Sequence, residues 1–206
     1  DVVALAAELL AIESPTGGEG KAVDYVSRWL VSRGWNVTVQ EVSPGRGNVW
    51  ASRAGGGVAL SSHLDTVPPY IPPRLAAERL YGRGACDAKG PIAGMLAAIE
   101  AIVKSGADLA GELVFTATAD EEFCSRGARK LIEDFQADLA IVGEPTACRI
   151  GTAHRGSLRP LVVVDGVAGH SSQPDLAVNA IFKAVPVLQA LERYGESLRP
   201  RAHPLC

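Results

Sequence analysis

Between residues 58 and 142, short apolar runs with strand character alternate with segments of helical period, and that alternation restricts the chain to α/β architectures. Residues 58–62, 112–119 and 138–142 are apolar and rich in β-forming side chains, as buried strands are. Between them, residues 91–104 open with a proline near the first turn, and residues 126–135 carry a helical pattern. Upstream, residues 2–12 read as a short amphipathic helix stopped by Ser14-Pro15-Thr16-Gly17-Gly18. A second helix is expected over 20–33, its apolar set Ala22, Val23, Val26, Trp29 and Leu30 closing on Gly34. Strands are expected over 35–42 and 48–53, the latter joined to 58–62 by a hairpin turn at Gly55-Gly56-Gly57. The order α, α, β, β, β, α, β, α, β predicts an α/β domain with a mixed sheet. Something new begins after about Gly156: a strand over 158–165, then a long helix over 176–194 kinked at Pro186.

Composition narrows the function classes. With 47% apolar side chains and a net charge of −3, the chain is globular rather than disordered, and 13 Pro with 22 Gly stay below the low-complexity range. No basic run is present to hold a phosphate backbone, so nucleic acid is not an expected partner. A membrane is not expected either, because no apolar stretch approaches the roughly 18 residues that a span needs. The cysteines, at 86, 124, 148 and 206, form no CxxC pair, which fits reduced thiols and a cytoplasmic location. The first residue is Asp1 and the one methionine is Met95, so the natural start lies elsewhere and a removed targeting segment stays open.

Four motifs could carry chemistry. Ser61-Ser62-His63-Leu64-Asp65 puts an imidazole and a carboxylate two apart at the end of an apolar strand, on one face of it. The imidazole could bind a metal while the carboxylate orients or tunes the site; a surface histidine in a turn is the plainer reading. Residues 82–90 form a glycine-rich turn that delivers Asp87 ahead of a helix, but they match neither a dinucleotide fingerprint nor a Walker loop. Asp87 could bridge two cations or simply cap the helix. Asp120-Glu121-Glu122 follows an apolar strand at its carboxyl end, where open α/β sheets bind ligands. There, one acid could take a metal and its neighbour a proton, although acidic runs usually only solvate a loop. Glu144 again stands after a buried strand, before Pro145. Taken together, His63, Asp87, Glu122 and Glu144 supply the oxygen and imidazole donors that Zn²⁺, Co²⁺ or Mn²⁺ sites use.

At this point the sequence resembles the M20 family of dinuclear metallohydrolases, the group of acetylornithine deacetylase, succinyl-diaminopimelate desuccinylase, aminoacylases and carboxypeptidases. HLDTVP (63–68), GRGACDAKG (82–90), DEE (120–122), GEPT (143–146) and GHSSQPDLAVNAI (169–181) carry the resemblance in order along essentially the whole chain. It implies that His63 and Glu144 bind one metal, that Asp87 bridges both, and that Glu122 binds the second. It further implies that Asp65 supports His63, that Glu121 is the general base, and that His170 reaches across a dimer to stabilise an oxyanion. His154 and His203 receive no role.

The implied fold is a mixed-sheet, zinc-peptidase-like catalytic domain over 1–156, interrupted by an α+β, ferredoxin-like lid or dimerisation domain of which 157–206 is the start. The chain is then expected to be an N-terminal portion, without the late histidine that the family gives the second metal. The implied cofactors are two divalent ions, zinc by default with cobalt or manganese as alternatives. The implied partners are a small N-acyl amino acid or peptide and, through the lid, a second copy. The implied reaction is hydrolysis of an N-acyl amino acid, with acetylornithine foremost. A dipeptidase or carboxypeptidase, or a noncatalytic remnant acting by binding or dimerisation, are the alternatives.

Overall fold

The computed structural model describes residues 1–52, 57–107, 109, 111–154 and 156–202. Helices α1 (Val2–Ala11) and α2 (Gly20–Val31) come first, then strands β1 (Asn36–Ser43), β2 (Arg46–Ser52) and β3 (Gly57–His63). A small hairpin of β4 (Arg74–Ala76) and β5 (Arg79–Tyr81) leads to α3 (Lys89–Ser105), β6 (Glu112–Thr118), α4 (Arg126–Asp134) and β7 (Leu139–Val142). After a short 3₁₀ turn at Pro174–Leu176 comes α5 (Ala180–Leu198). The chain divides into two units, Asp1–Cys148 and the residues from Arg149 on.

The main sheet has the order β1-β2-β6-β3-β7, with β1, β2 and β6 antiparallel and β6, β3 and β7 parallel. It is the mixed sheet that the alternation predicts. Side-chain alternation gives each face its own cover. Val49 and Ala51 of β2, with Phe115 and Ala117 of β6, share one buried cluster with Leu5 and Leu9 of α1, Val26 and Leu30 of α2, and Ile92, Leu96 and Ile99 of α3. The intervening Asn48 and Trp50 face α4: Asn48 donates to the Gly127 carbonyl, and the Trp50 ring lies 5.7 Å from that of Phe135. About nine large apolar side chains leave water in the three-helix cluster, at about 1.5–3 kcal/mol each, and hold this face together.

Three expectations need correction. The strands over 48–53 and 58–62 do not form a hairpin, because β6 lies between β2 and β3. Val114, Phe115, Thr116 and Ala117 are buried on both faces of β6, and a strand apolar on both faces belongs at the centre of a sheet. Gly55 and Gly56, two of the three residues of the expected turn, lie outside the described residues. No strand forms over 158–165; among the described residues this stretch has no ladder partner, and the one bridge nearby joins Val167 to Val178. The last helix starts at Ala180 rather than 176, because the Asn179 side chain accepts the Ile181 and Phe182 amides and caps it there. The β4–β5 hairpin was not foreseen: Ala77 and Glu78 both take positive φ at its turn, without the glycine or asparagine that usually signals it.

Candidate metal and catalytic site

The three parallel strands end together. Ladder pairs set His63 beside Thr118 and Ser61 beside Val142, so the segments that follow β3, β6 and β7 emerge at the same edge of the sheet. Leu64 donates to the Thr118 carbonyl at 2.8 Å and Gly143 to the Ser61 carbonyl at 2.8 Å, which extends this alignment past the strands. Asp87 comes from the glycine turn before α3. It does not cap that helix: α3 begins at Lys89 after Ala88, with no side-chain cap.

His63 is buried at the centre. Its Nδ1 donates to the Asp65 backbone carbonyl at 2.9 Å, and its Nε2 faces Asp87 Oδ1 at 2.8 Å, Glu121 Oε2 at 3.9 Å and Glu144 Oε1 at 4.0 Å. His63, Asp87 and Glu144 each offer a ligand atom within 4.8 Å of the others. Of the four residues assigned to metal, the fold therefore brings three into one tight group. Glu122 stands outside that group but shares a cleft of about 570 Å³ with Asp87, lined also by Val67, Tyr81 and Arg83.

Asp65 is fully buried and never reaches the cleft as a ligand. Its carboxylate accepts the Thr16 hydroxyl at 2.8 Å, the Glu121 amide at 3.0 Å and the Glu122 amide at 3.1 Å. It thus fixes the backbone of the two acids while standing 3.4 Å from His63 Nδ1. In the sequence Thr16 stands only within a helix stop; its partnership with Asp65 spans 49 positions and has no local signal.

Charges in the site are unbalanced. Burial and the Asp87 carboxylate push both Glu122 and Glu144 above the ordinary carboxylate range, despite the opposing pull of His63. Burial pulls His63 down, but the Asp65 and Asp87 carboxylates outweigh it and hold the imidazolium at about 9. For Asp65, burial is likewise outweighed, by His63, Thr16 and the two amides, and its carboxyl sits below its ordinary range. One histidine thus faces several carboxylates that repel one another, and bound divalent cations would relieve that repulsion. The donor set of one imidazole and several carboxylate oxygens fits zinc, cobalt or manganese.

His170 belongs to the second unit and is exposed. The Ser172 amide donates to its Nδ1 at 3.2 Å, so in the neutral ring the proton sits on Nε2. Among the described residues Cys86, Cys124 and Cys148 are free thiols. No helix among them is long and apolar enough to cross a membrane.

Residues 59–194 match the family described as Peptidase family M20/M25/M40. Acetylornithine deacetylase of Vibrio campbellii is 34% identical over 198 residues, covering 90% of this chain and 52% of its own length. A LysW-lysine/LysW-ornithine hydrolase of Sulfurisphaera tokodaii is 36% identical over 191 residues, covering 91% and 52%. In structure, a tripeptidase of Staphylococcus aureus superposes with a TM-score of 0.69 at 22% identity, over 91% of this chain and 55% of that one. That likeness shows the fold. The chain spans about half the length of the curated relatives it matches.

Proposed function

This chain belongs to peptidase family M20/M25/M40, and we propose that it carries the catalytic centre of a metal-dependent amidohydrolase acting on N-acyl amino acids. The observation that carries the reading is the state of His63: its Nδ1 proton is committed to the Asp65 carbonyl, while Nε2 faces Asp87 and Glu144. Metal-ligating histidines are held in this way, one nitrogen tied back and the other free to coordinate. In this reading His63 and Glu144 would hold one ion, Glu122 would hold the second, and Asp87 would serve both. When bound, such ions polarise a carbonyl and lower the pKa of water.

The chain's own residues then divide the work. Glu121, its side chain 44% exposed at the rim and its amide pinned by Asp65, takes a proton from the attacking water and returns it to the departing amine. Water adds across the acyl C–N bond, giving a carboxylate and a free amine. His170, its proton on Nε2, offers a donor to the tetrahedral oxyanion from a partner subunit. Residues 157–206 are read as the start of a lid and dimerisation domain; Ile181, Phe182 and Leu188 on α5 are more than 60% exposed, as an interface helix would be in the single chain. A cleft of about 570 Å³ suits a small amino-acid derivative, and 34% identity to an acetylornithine deacetylase favours an acetylated substrate over a peptide.

The test is Glu121→Gln in the full-length protein. N-acetyl amino acids and dipeptides are assayed side by side, with metal content read by elemental mass spectrometry. Loss of turnover with metal retained supports the base role; loss of metal with chemistry retained sinks it. Faster cleavage of dipeptides than of acetylated amino acids would move the assignment to a peptidase.

A further inference from the structure

The acidic turn at 120–122 is held from behind by a buried network of charges. Asp120 has φ +66°, a left-handed conformation that costs an ordinary residue about 1 kcal/mol, and its side chain is fully buried. Its carboxylate accepts Arg46 Nη2 at 2.8 Å, Arg126 Nε at 3.1 Å, Arg126 Nη2 at 3.3 Å and the Arg126 amide at 3.3 Å. Arg46 simultaneously grips Glu19 in a two-point contact, Nε to Oε2 at 2.8 Å and Nη2 to Oε1 at 2.6 Å. Glu19 is itself buried and also accepts the Gly17 amide at 3.1 Å.

These contacts close a ring. The loop of residues 14–19 reaches the acidic turn by two routes, through Thr16 and Asp65 to the amides of Glu121 and Glu122, and through Glu19 and Arg46 to Asp120. We infer that Arg46 is a positioning residue for the Glu121–Glu122 pair, acting through Asp120 and never touching substrate or metal. This rests on the proposed metal-dependent reading of the site. Glu122 is repelled by both Asp87 and Glu121, and an unanchored turn would swing the two acids toward water. The planar guanidinium suits the task because its rigid fork grips Glu19 at two points while Nη2 also bonds Asp120, a fixed geometry that an ammonium on a flexible stem does not hold.

The test uses Arg46→Lys and Arg126→Gln in the otherwise unchanged chain, with cobalt(II) as the probe. Cobalt affinity and the visible absorption of the bound ion are read beside tryptophan fluorescence, which reports folding. Arg46→Lys should stay folded, bind cobalt more weakly on the order of tenfold and shift the absorption band. Arg126 has a side chain 53% exposed, so its variant stays folded and should lose affinity severalfold. Folded variants with the parent's affinity and spectrum would overturn the inference and leave the metal reading intact. So would an Arg46→Lys chain that fails to fold while Arg126→Gln binds cobalt as the parent does, since the network would then serve stability alone. A folded parent chain that takes up no cobalt would overturn the metal reading, and the inference with it.

Discussion

Replacing Asp65 by Asn changes no volume and removes one charge, yet the structure makes it one of the costliest single substitutions in the site. The carboxylate accepts from donors only: the Thr16 hydroxyl and Glu122 amide on Oδ2, the Glu121 amide on Oδ1. An asparagine offers one oxygen and one NH₂ group, so one of the two backbone amides must face another donor. The Thr16 hydroxyl can turn and accept; an amide cannot. A buried donor left unpaired costs about 1–3 kcal/mol, and each surviving bond weakens by about 1 kcal/mol when its acceptor loses its charge. Relief of repulsion with Glu121 works in the opposite direction but is offset by lost attraction to His63, 3.4 Å from Asp65. The sum is a destabilisation of about 3–5 kcal/mol. At about 2–4 °C per kcal/mol for a chain of this size, the midpoint should fall by about 6–20 °C. All three tryptophans, Trp29, Trp35 and Trp50, lie in the unit that holds the site, so urea unfolding followed by tryptophan fluorescence reads that unit. A loss below about 1 kcal/mol would refute the claim that Asp65 anchors the two acids.

Two further outcomes follow from packing and burial. Gly127→Ala would set a Cβ 2.2 Å from the Ala119 carbonyl and 2.5 Å from Asn48 Oδ1, so α4 must lift from the end of β6. A loss of about 3 kcal/mol or more is expected in the same urea assay, and a variant as stable as the parent would show that the helix yields freely. Lys89 is buried with its amine donating to the Ile12 carbonyl, and burial, against the pull of Glu13, lowers its pKa to about 8. Its folded pKa lies below the unfolded value of about 10.5, so the unfolded chain binds more protons between them and stability rises with pH over that window. The gain is at most about 3 kcal/mol. His63 runs the other way, its stabilisation in the metal-free chain fading as pH climbs through about 9. Unfolding of the parent should therefore become harder relative to Lys89→Met from about pH 8 to 10.5, whereas parallel curves would contradict the burial of a desolvated amine.

Much of the site was legible because its residues stand at the ends of strands. Apolar runs marked β3, β6 and β7, and the polar group after each run marked the edge where ligands bind in α/β sheets. The α3 segment was legible too, although its start two residues before Pro91 was not, since a helix boundary depends on which carbonyls find partners. What failed was long-range pairing. The glycines at 55–57 look like a hairpin turn in sequence, but β2 and β3 are not neighbours in the sheet, because β6 lies between them. Residues 158–165 have strand-forming side chains, and Leu158 and Leu161 are at least 80% exposed for want of a neighbouring strand. Strand propensity describes a side chain's fit to a pleated surface, and only the rest of the fold supplies that surface.

The sequence alone determined the α/β alternation, the identity of His63, Asp87, Glu121, Glu122 and Glu144 as the groups worth watching, and the family they resemble. These are local properties: periodicity, a polar residue after an apolar run, a glycine turn before a helix. Only the tertiary structure decided that Asp65, expected to support His63, also holds the backbone of two acids, and that Arg46 joins Glu19 to Asp120, remote from each other in the chain, in one network. Hydrogen bonds and ion pairs of that kind depend on distance in space, and residues as remote as Arg46 and Asp120 acquire a partner only once the sheet has set them 2.8 Å apart.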